Sequence, residues 1–177
     1  MLLVRPSEGA VDFAQEPFFR NVLIPLDGSE LAEQILDTAV GLGTLTKAEY
    51  TLLRIVNPVT PFHNEVHSSV YRELGLGPSS LEQVHGLPED ERQDAQDYLG
   101  RVAQRFRRQG CNVQTHVVND LNHAAAILAT IDTHGTDLVA LAMHGRGGLA
   151  RFLLGSVADK VIRGAKTPVL VQTARGD

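Results

Sequence analysis

The chain has 177 residues, of which 43% are hydrophobic, and it carries a formal net charge of -5 at pH 7. This length fits one domain with a well-filled core, and the negative charge argues against a nucleic-acid partner, because binding a polyanion requires a basic face. The single cysteine, Cys111, excludes an internal disulfide, and no apolar run is long enough for a membrane span, so we expect a cytoplasmic protein that does not enter a membrane.

The chain alternates between apolar runs of strand type and segments of helical period from residue 21 onward. The predicted strands are 21–27, 48–56, 112–118, 137–143 and 168–173, and the predicted helices are 29–44, 88–109, 121–134 and 156–165. This alternation is typical of right-handed crossovers in a parallel sheet that is covered on both faces. We therefore predict a single α/β domain over 21–177, a three-layer doubly wound five-stranded parallel sheet, preceded by an N-terminal arm at 1–20.

Residues 57–87 show no period and are punctuated by proline and glycine, which predicts a long loop or lid. His63 and His67 within it are four residues apart and would share a helix face. No carboxylate or third histidine stands at a spacing typical of metal ligands, so we predict no metal site.

A doubly wound sheet binds ligands at the carboxyl ends of its strands, where the strand order reverses. Two turns in this sequence follow apolar strands directly and carry polar or glycine-rich residues. They are the turn after Leu26 and Asp27 and the turn after Met143. Both are candidate ligand contacts.

The second turn contains three glycines in four residues, Gly145, Gly147 and Gly148. Glycines allow backbone N–H groups to approach an anion without an intervening Cβ. Gly155 and Ser156 then open the last predicted helix, whose first N–H groups suit a phosphate. Alternatively, the glycines only turn the chain and Ser156 only caps the helix, with Asp159 as a capping-box partner. A P-loop is absent, and the near match to the dinucleotide fingerprint follows the wrong strand.

The segment from residue 142 to 156 resembles the nucleotide signature of the universal stress protein family, G-x-x-G, nine residues, then G-[ST]. Here it reads Ala142-Met-His-Gly145, nine residues, then Gly155-Ser156. The stretches NVLIPLDGSELAEQIL, LLRIVNPV and DLVALAMHGRGGLARFLLGSVADKVIRGAKTPVLV are similar to the family's opening, second-strand and C-terminal blocks. The resemblance implies an adenine nucleotide alpha-hydrolase-like fold with strand order 3-2-1-4-5.

The resemblance also implies a binding site for ATP, with or without Mg²⁺. Asp27 and the backbone near Ile55 would hold the adenosine, although Asp27 is equally suited to start a helix. His144 is expected to shape the loop by hydrogen bonding and not to act as a base. Arg146 would add positive charge, or form a salt bridge, or be solvated. The full expected set is Pro25, Asp27, Ile55, Ala142, His144, Gly145, Arg146, Gly148, Gly155, Ser156 and Val157.

Ala142 departs from the family pattern, which often has glycine at this position. Its methyl group is harmless if it points into the sheet packing, but it crowds the ligand if it faces the site. Members of the family divide into nucleotide binders and non-binders, so this position bears on function.

The function expected from these features is a homodimeric, ATP-binding stress-response module that acts through an unidentified protein partner. The dimer would form through the terminal strand from Pro168 to Thr173, an apolar edge that invites pairing. We predict no catalytic residues, because no acid/base pair or P-loop lysine is evident. The alternatives are a member that binds no nucleotide and acts through protein contacts, and a slow ATP hydrolase.

Overall fold

The computed structural model describes residues 2–3, 19–44, 46–58, 88–144 and 155–174. Within these residues the strands are β1 (Leu2–Leu3), β2 (Asn21–Pro25), β3 (Glu49–Val56), β4 (Asn112–Asn119), β5 (Leu138–His144) and β6 (Val169–Ala174). The helices are α1 (Glu30–Glu33), α2 (Ile35–Thr44), α3 (Pro88–Arg108), α4 (His123–Thr133) and α5 (Ser156–Gly164). The predicted loop at 57–87 lies outside the described residues from residue 59 onward.

The strands form one sheet in the order β1-β6-β5-β2-β3-β4. All neighbours from β6 to β4 are parallel, whereas β1 runs antiparallel to β6. Numbering the five parallel strands in chain order gives 3-2-1-4-5, which confirms the predicted topology. The short strand β1 was not predicted, because two residues cannot display a period.

The central strand β2 is buried on both faces of the sheet. Val22 and Ile24 belong to a core shared with α1, α2 and α3, which we call the α2/α3 face. Leu23 belongs to a second core shared with α4 and α5, the α4/α5 face. This alternation explains why the run VLIP after Asn21 is apolar without interruption, since a parallel strand between two helix layers has no solvent side.

The chain leaves β2 and β5 toward opposite faces of the sheet. After β2 it enters α1 and α2, whose Ala32, Ile35 and Leu36 pack in the core of the α2/α3 face. After β5 it reaches α5, whose Val161 packs in the core of the α4/α5 face. Because β2 and β5 are neighbours, their carboxyl ends open into a crevice between the diverging connections.

The predicted helix at 29–44 is divided in the structure at Gln34, between α1 and α2. Ser29 caps α1, since its side-chain oxygen accepts a hydrogen bond from the N–H of Ala32 at 3.1 Å. The close approach of α2 to the sheet depends on Gly43, which lies against the buried ring of Tyr50.

Two glycines of α2 provide a matched test of this packing. A Cβ at Gly43 would lie 2.7 Å from Cζ of Tyr50, whereas a Cβ at Gly41 would meet nothing within 4 Å. We expect Gly43→Ala to lower the free energy of unfolding by about 1 to 3 kcal/mol, because the core cannot accept the methyl without shifting. Gly41→Ala should raise the free energy of unfolding by about 0.5 to 1 kcal/mol through helix propensity. Urea denaturation of both variants is the measurement, and equal effects would contradict the packing described.

Candidate functional site

A cavity of about 420 Å³ occupies the crevice at the carboxyl ends of the central strands. It is lined by residues from the end of β2, from β3, from β5, and from the first turns of α1, α4 and α5. The strand-order reversal therefore produces an open site at the place where the topology predicts one.

Seven of the residues expected from the sequence line this cavity: Pro25, Asp27, Ile55, Ala142, Gly155, Ser156 and Val157. They come from four separate segments and are brought together only by the sheet. His144 is the last residue of β5. Gly145, Arg146 and Gly148 lie outside the described residues.

Asp27 supplies a negative charge at the β2 end of the cavity. Its Oδ1 accepts hydrogen bonds from the N–H of Ser29 at 2.9 Å and from the hydroxyl of Ser29 at 2.6 Å. Burial alone would raise the pKa of Asp27, but these hydrogen bonds and the positive charge of Arg54 outweigh it and lower the pKa. Asp27 is thus a carboxylate at neutral pH, able to accept hydrogen bonds from hydroxyl or amino groups.

Arg54 forms a wall of the cavity beside Asp27. Its guanidinium carbon lies 5.8 Å from the centroid of the Tyr98 ring, within the range of a cation–π interaction. Gly28 lies directly against it, because a Cβ at Gly28 would be 3.0 Å from Nη1 of Arg54. Gly28 also has a φ of 83°, which disfavours other residues. The positive φ of the turn is therefore the main reason for glycine at this position, because the end of the Arg54 side chain can shift.

The first turn of α5 lines the cavity. Gly155 is the N-cap residue, and no side chain caps the helix within the part of the chain that the structure describes. Ser156 is already the first helical residue, so the proposed Ser156 cap is wrong. Its supposed partner, Asp159, instead accepts a hydrogen bond from Nε of Arg163 at 2.9 Å. The first N–H groups of α5 therefore have no side-chain acceptor among the described residues.

Gly155 differs from Gly28 in its backbone conformation and in the space around it. Its φ of -51° and ψ of 144° are accessible to any residue. A Cβ at Gly155 would meet nothing within 4 Å. The described protein atoms therefore do not demand glycine here, at a residue that lines the cavity.

Ala142 also lines the cavity, and its side chain is partly buried against the core of the α2/α3 face. The neighbouring Leu141 and Met143 pack in the opposite core. Ala142 thus contributes to the sheet packing and is also one of the residues that line the cavity.

Two polar cavity residues were missed by the sequence reasoning, Arg54 and His123. Nε2 of His123 lies 3.0 Å from Oδ1 of Asn57, which links the start of α4 to the end of β3. The sequence held a signal for Arg54, because it is a charged residue inside the apolar strand LLRIV. His123 comes shortly after the predicted strand 112–118, and its position after the carboxyl end of a parallel strand could have identified it.

The described residues contain no group of three or more His, Cys, Asp or Glu side chains that could hold a metal ion. His63 and His67 lie outside that part of the chain. None of the helices described is both long enough and apolar enough to cross a membrane.

A model of the universal stress protein family matches residues 18–172. The chain belongs to this family. The assignment expected from the motifs is confirmed by curated relatives. The chain is 27% identical over 153 residues to universal stress protein MJ0577 of Methanocaldococcus jannaschii, covering 86% of this chain and 94% of the relative. It is 28% identical over 154 residues to universal stress protein Sll1388 of Synechocystis, covering 86% and 97%.

Solved structures share the fold of this universal stress protein. The structure of MJ0577 has a TM-score of 0.65 at 23% identity and covers 91% of this chain and 100% of that chain. A universal stress protein in complex with cAMP has a TM-score of 0.58 at 19% identity, covering 89% and 100%. The Archaeoglobus fulgidus protein in complex with dAMP has a TM-score of 0.57 at 17% identity, covering 88% and 98%. The fold is thus the adenine nucleotide alpha-hydrolase-like fold.

The lowered pKa of Asp27 predicts a dependence of stability on pH. A carboxyl with a folded-state pKa below 3.8 adds stability above that pH and loses this contribution as the pH falls through the folded-state value. Asp27→Asn keeps a hydrogen-bond acceptor but removes the charge. We expect it to lower the free energy of unfolding near neutral pH by less than about 1 kcal/mol, because the carboxylate is exposed and screened.

The difference between the wild-type protein and Asp27→Asn should be constant above pH 3.8, the ordinary pKa of an aspartate, and should shrink over the range below it, because protonation removes the same charge from the wild-type protein. Urea denaturation across this range measures it. Asp132→Asn, which removes an exposed carboxylate on α4, controls for the loss of one surface charge. A difference for Asp27→Asn that stays constant with pH would contradict the described interactions.

Proposed function

We propose that this universal stress protein binds ATP in the cavity and acts in the cytoplasm as a homodimeric stress-response module whose contacts with another protein depend on the bound nucleotide. The observation that carries the proposal is the cavity itself. Its lining joins Asp27 and Ile55 at one end to Gly155, Ser156 and Val157 at the other.

The charge distribution of the cavity favours one orientation of the ligand. The carboxylate of Asp27 repels phosphate and accepts hydrogen bonds from ribose hydroxyls or an adenine amino group. The N-terminal end of α5 carries the positive end of the helix dipole and N–H groups without a side-chain cap, which favour an anion. The nucleoside would therefore lie toward Asp27 and Ile55, and the phosphates toward Gly155 and Ser156.

The remaining expected contacts complete this proposal. Gly145, Arg146 and Gly148 lie in the sequence between β5 and α5. In this proposal they contact the phosphates near the start of α5. His144, at the end of β5, would shape this loop, and Pro25 the end of β2. Mg²⁺ would enter with the phosphates of ATP, since the described residues offer no carboxylate cluster to hold it independently.

Related proteins support the choice of an adenine nucleotide. Two solved universal stress proteins are complexes with cAMP and with dAMP. Both ligands share the adenine base and a phosphate with ATP. The size of the cavity, about 420 Å³, is within the usual range for small-molecule sites.

The proposed homodimer uses the strand from Pro168 to Thr173. Its core, β6, is apolar and contributes Val169, Leu170 and Val171 to the two cores of the domain. Pairing with a second β6 would continue the sheet across the two-fold axis, at the outer edge of β6 where β1 pairs with Val169 and Leu170 in this structure.

Gly155→Val tests the nucleotide site. The added side chain enters space that the described residues leave empty, so the unliganded fold should lose about 1 kcal/mol or less, the cost of a poor N-cap residue. If ATP binds with a dissociation constant of about 10 μM, about 1 mM ATP stabilises the wild-type protein by about 2.7 kcal/mol. We expect this stabilisation, measured as a thermal shift, to disappear in Gly155→Val.

The control is Gly41→Val, which places the same side chain in open space on α2, away from the cavity lining. It should keep the ATP-induced shift. No shift of the wild-type protein with ATP, ADP or AMP would overturn the proposal and favour a member that acts through protein contacts alone. Release of inorganic phosphate from ATP that is lost in Gly155→Val would favour the slow hydrolase instead.

A further inference from the structure

The outer edge of β6 is occupied by a segment of the same chain. Strand β1 pairs with it antiparallel, with Leu2 opposite Leu170 and Leu3 opposite Val169. The other edge of β6 pairs with β5. At Val169 and Leu170, β6 is therefore an internal strand of a six-stranded sheet.

The direction of β1 matters because it is the direction that a second copy of β6 would have. Two identical strands related by a two-fold axis perpendicular to the sheet run antiparallel to each other. Both β1 and a partner's β6 would use the same backbone N–H and C=O groups on the outer edge of β6. Since each of these groups serves one neighbouring strand, the two pairings exclude each other at Val169 and Leu170.

We infer that β1 is an intramolecular cap that competes with a second copy of the chain for the edge of β6. With β1 in place the outer edge at Val169 and Leu170 is closed to a second copy, and release of β1 opens this part of the edge and strengthens the dimer. The inference rests on the proposed homodimer through β6 and adds its regulation. The surface is the outer edge of Val169 and Leu170, and its partner is a second copy of this chain.

The short length of β1 suits a cap that can be displaced. Two paired residues form few backbone hydrogen bonds, each with a modest net contribution to stability. The covalent link to β2 nevertheless keeps β1 near β6, which raises its effective concentration at the edge. A second copy therefore competes only at sufficient protein concentration.

A pair of double variants of the full chain tests the cap. Leu2→Pro with Leu3→Pro removes the backbone N–H groups of β1 and blocks its pairing. Leu2→Val with Leu3→Val keeps these groups and the preference for extended backbone. We expect the proline variant to lower the dimer dissociation constant by about tenfold in sedimentation equilibrium. The valine variant should match the wild-type protein, and thermal unfolding confirms that both are folded.

A disulfide tests the same contact in the opposite direction. Residues directly opposite in an antiparallel pair lie close enough for a disulfide. Leu2→Cys with Leu170→Cys, in a Cys111→Ala background, should give an oxidised chain that stays monomeric at concentrations where its reduced form dimerises. The reduced form is its own matched control, and non-reducing electrophoresis verifies that the bond lies within one chain.

The outcomes separate the cap from the dimer. Equal dissociation constants for the proline and valine variants, or dimerisation of the oxidised chain, would overturn the cap and leave the proposed dimer standing. If none of the variants dimerises at any attainable concentration, the dimer through β6 is overturned together with the cap. The ATP-induced thermal shift is measured on the same samples and reports on the nucleotide site independently of either result.

Discussion

The structure depends on the pairing of β2 with β3 on one side and with β5 on the other. Because these pairings are parallel, every connection must cross over a face of the sheet, and the connections after β2 and β5 cross over opposite faces. The crevice between them follows from this arrangement and not from any particular side chain. The position of the cavity is therefore determined by the topology, and its chemistry by the residues that line it.

The chemistry of the crevice is set by a separation of charge. Asp27 remains ionised at one end, because Ser29 donates hydrogen bonds to it and Arg54 stands beside it. The start of α5 at the other end has no side-chain cap among the described residues. Gly155 and Ser156 at this terminus are exposed, so an anion that enters the cavity has access to the first N–H groups of the helix. The negative side of the cavity is thus due to the Asp27 side chain, and the positive side is due to the backbone N–H groups of α5.

The proposed cap would connect the two ends of the chain to the state of the assembly. Strand β6 lies beside β5, and β5 contributes Ala142 and Met143 to the cavity. A change at the outer edge of β6 is therefore separated from the proposed nucleotide site by a single strand. The sheet itself is the physical link between assembly and ligand, although the two are measured separately.

The sequence by itself determined the five parallel strands, their order through the family resemblance, and seven residues of the cavity. Apolar runs and helical periods are local signals, and the spacing from Ala142 to Ser156 is local as well. Only the tertiary structure decided the role of each glycine, since Gly28 has a positive φ that disfavours other residues, whereas Gly155 has a backbone conformation that any residue adopts. It also decided the pairing of β1 with β6, because a strand of two residues carries no periodic signal and is defined by a partner more than 160 positions away in the chain. Such contacts depend on distances through space, which the order of residues does not encode locally.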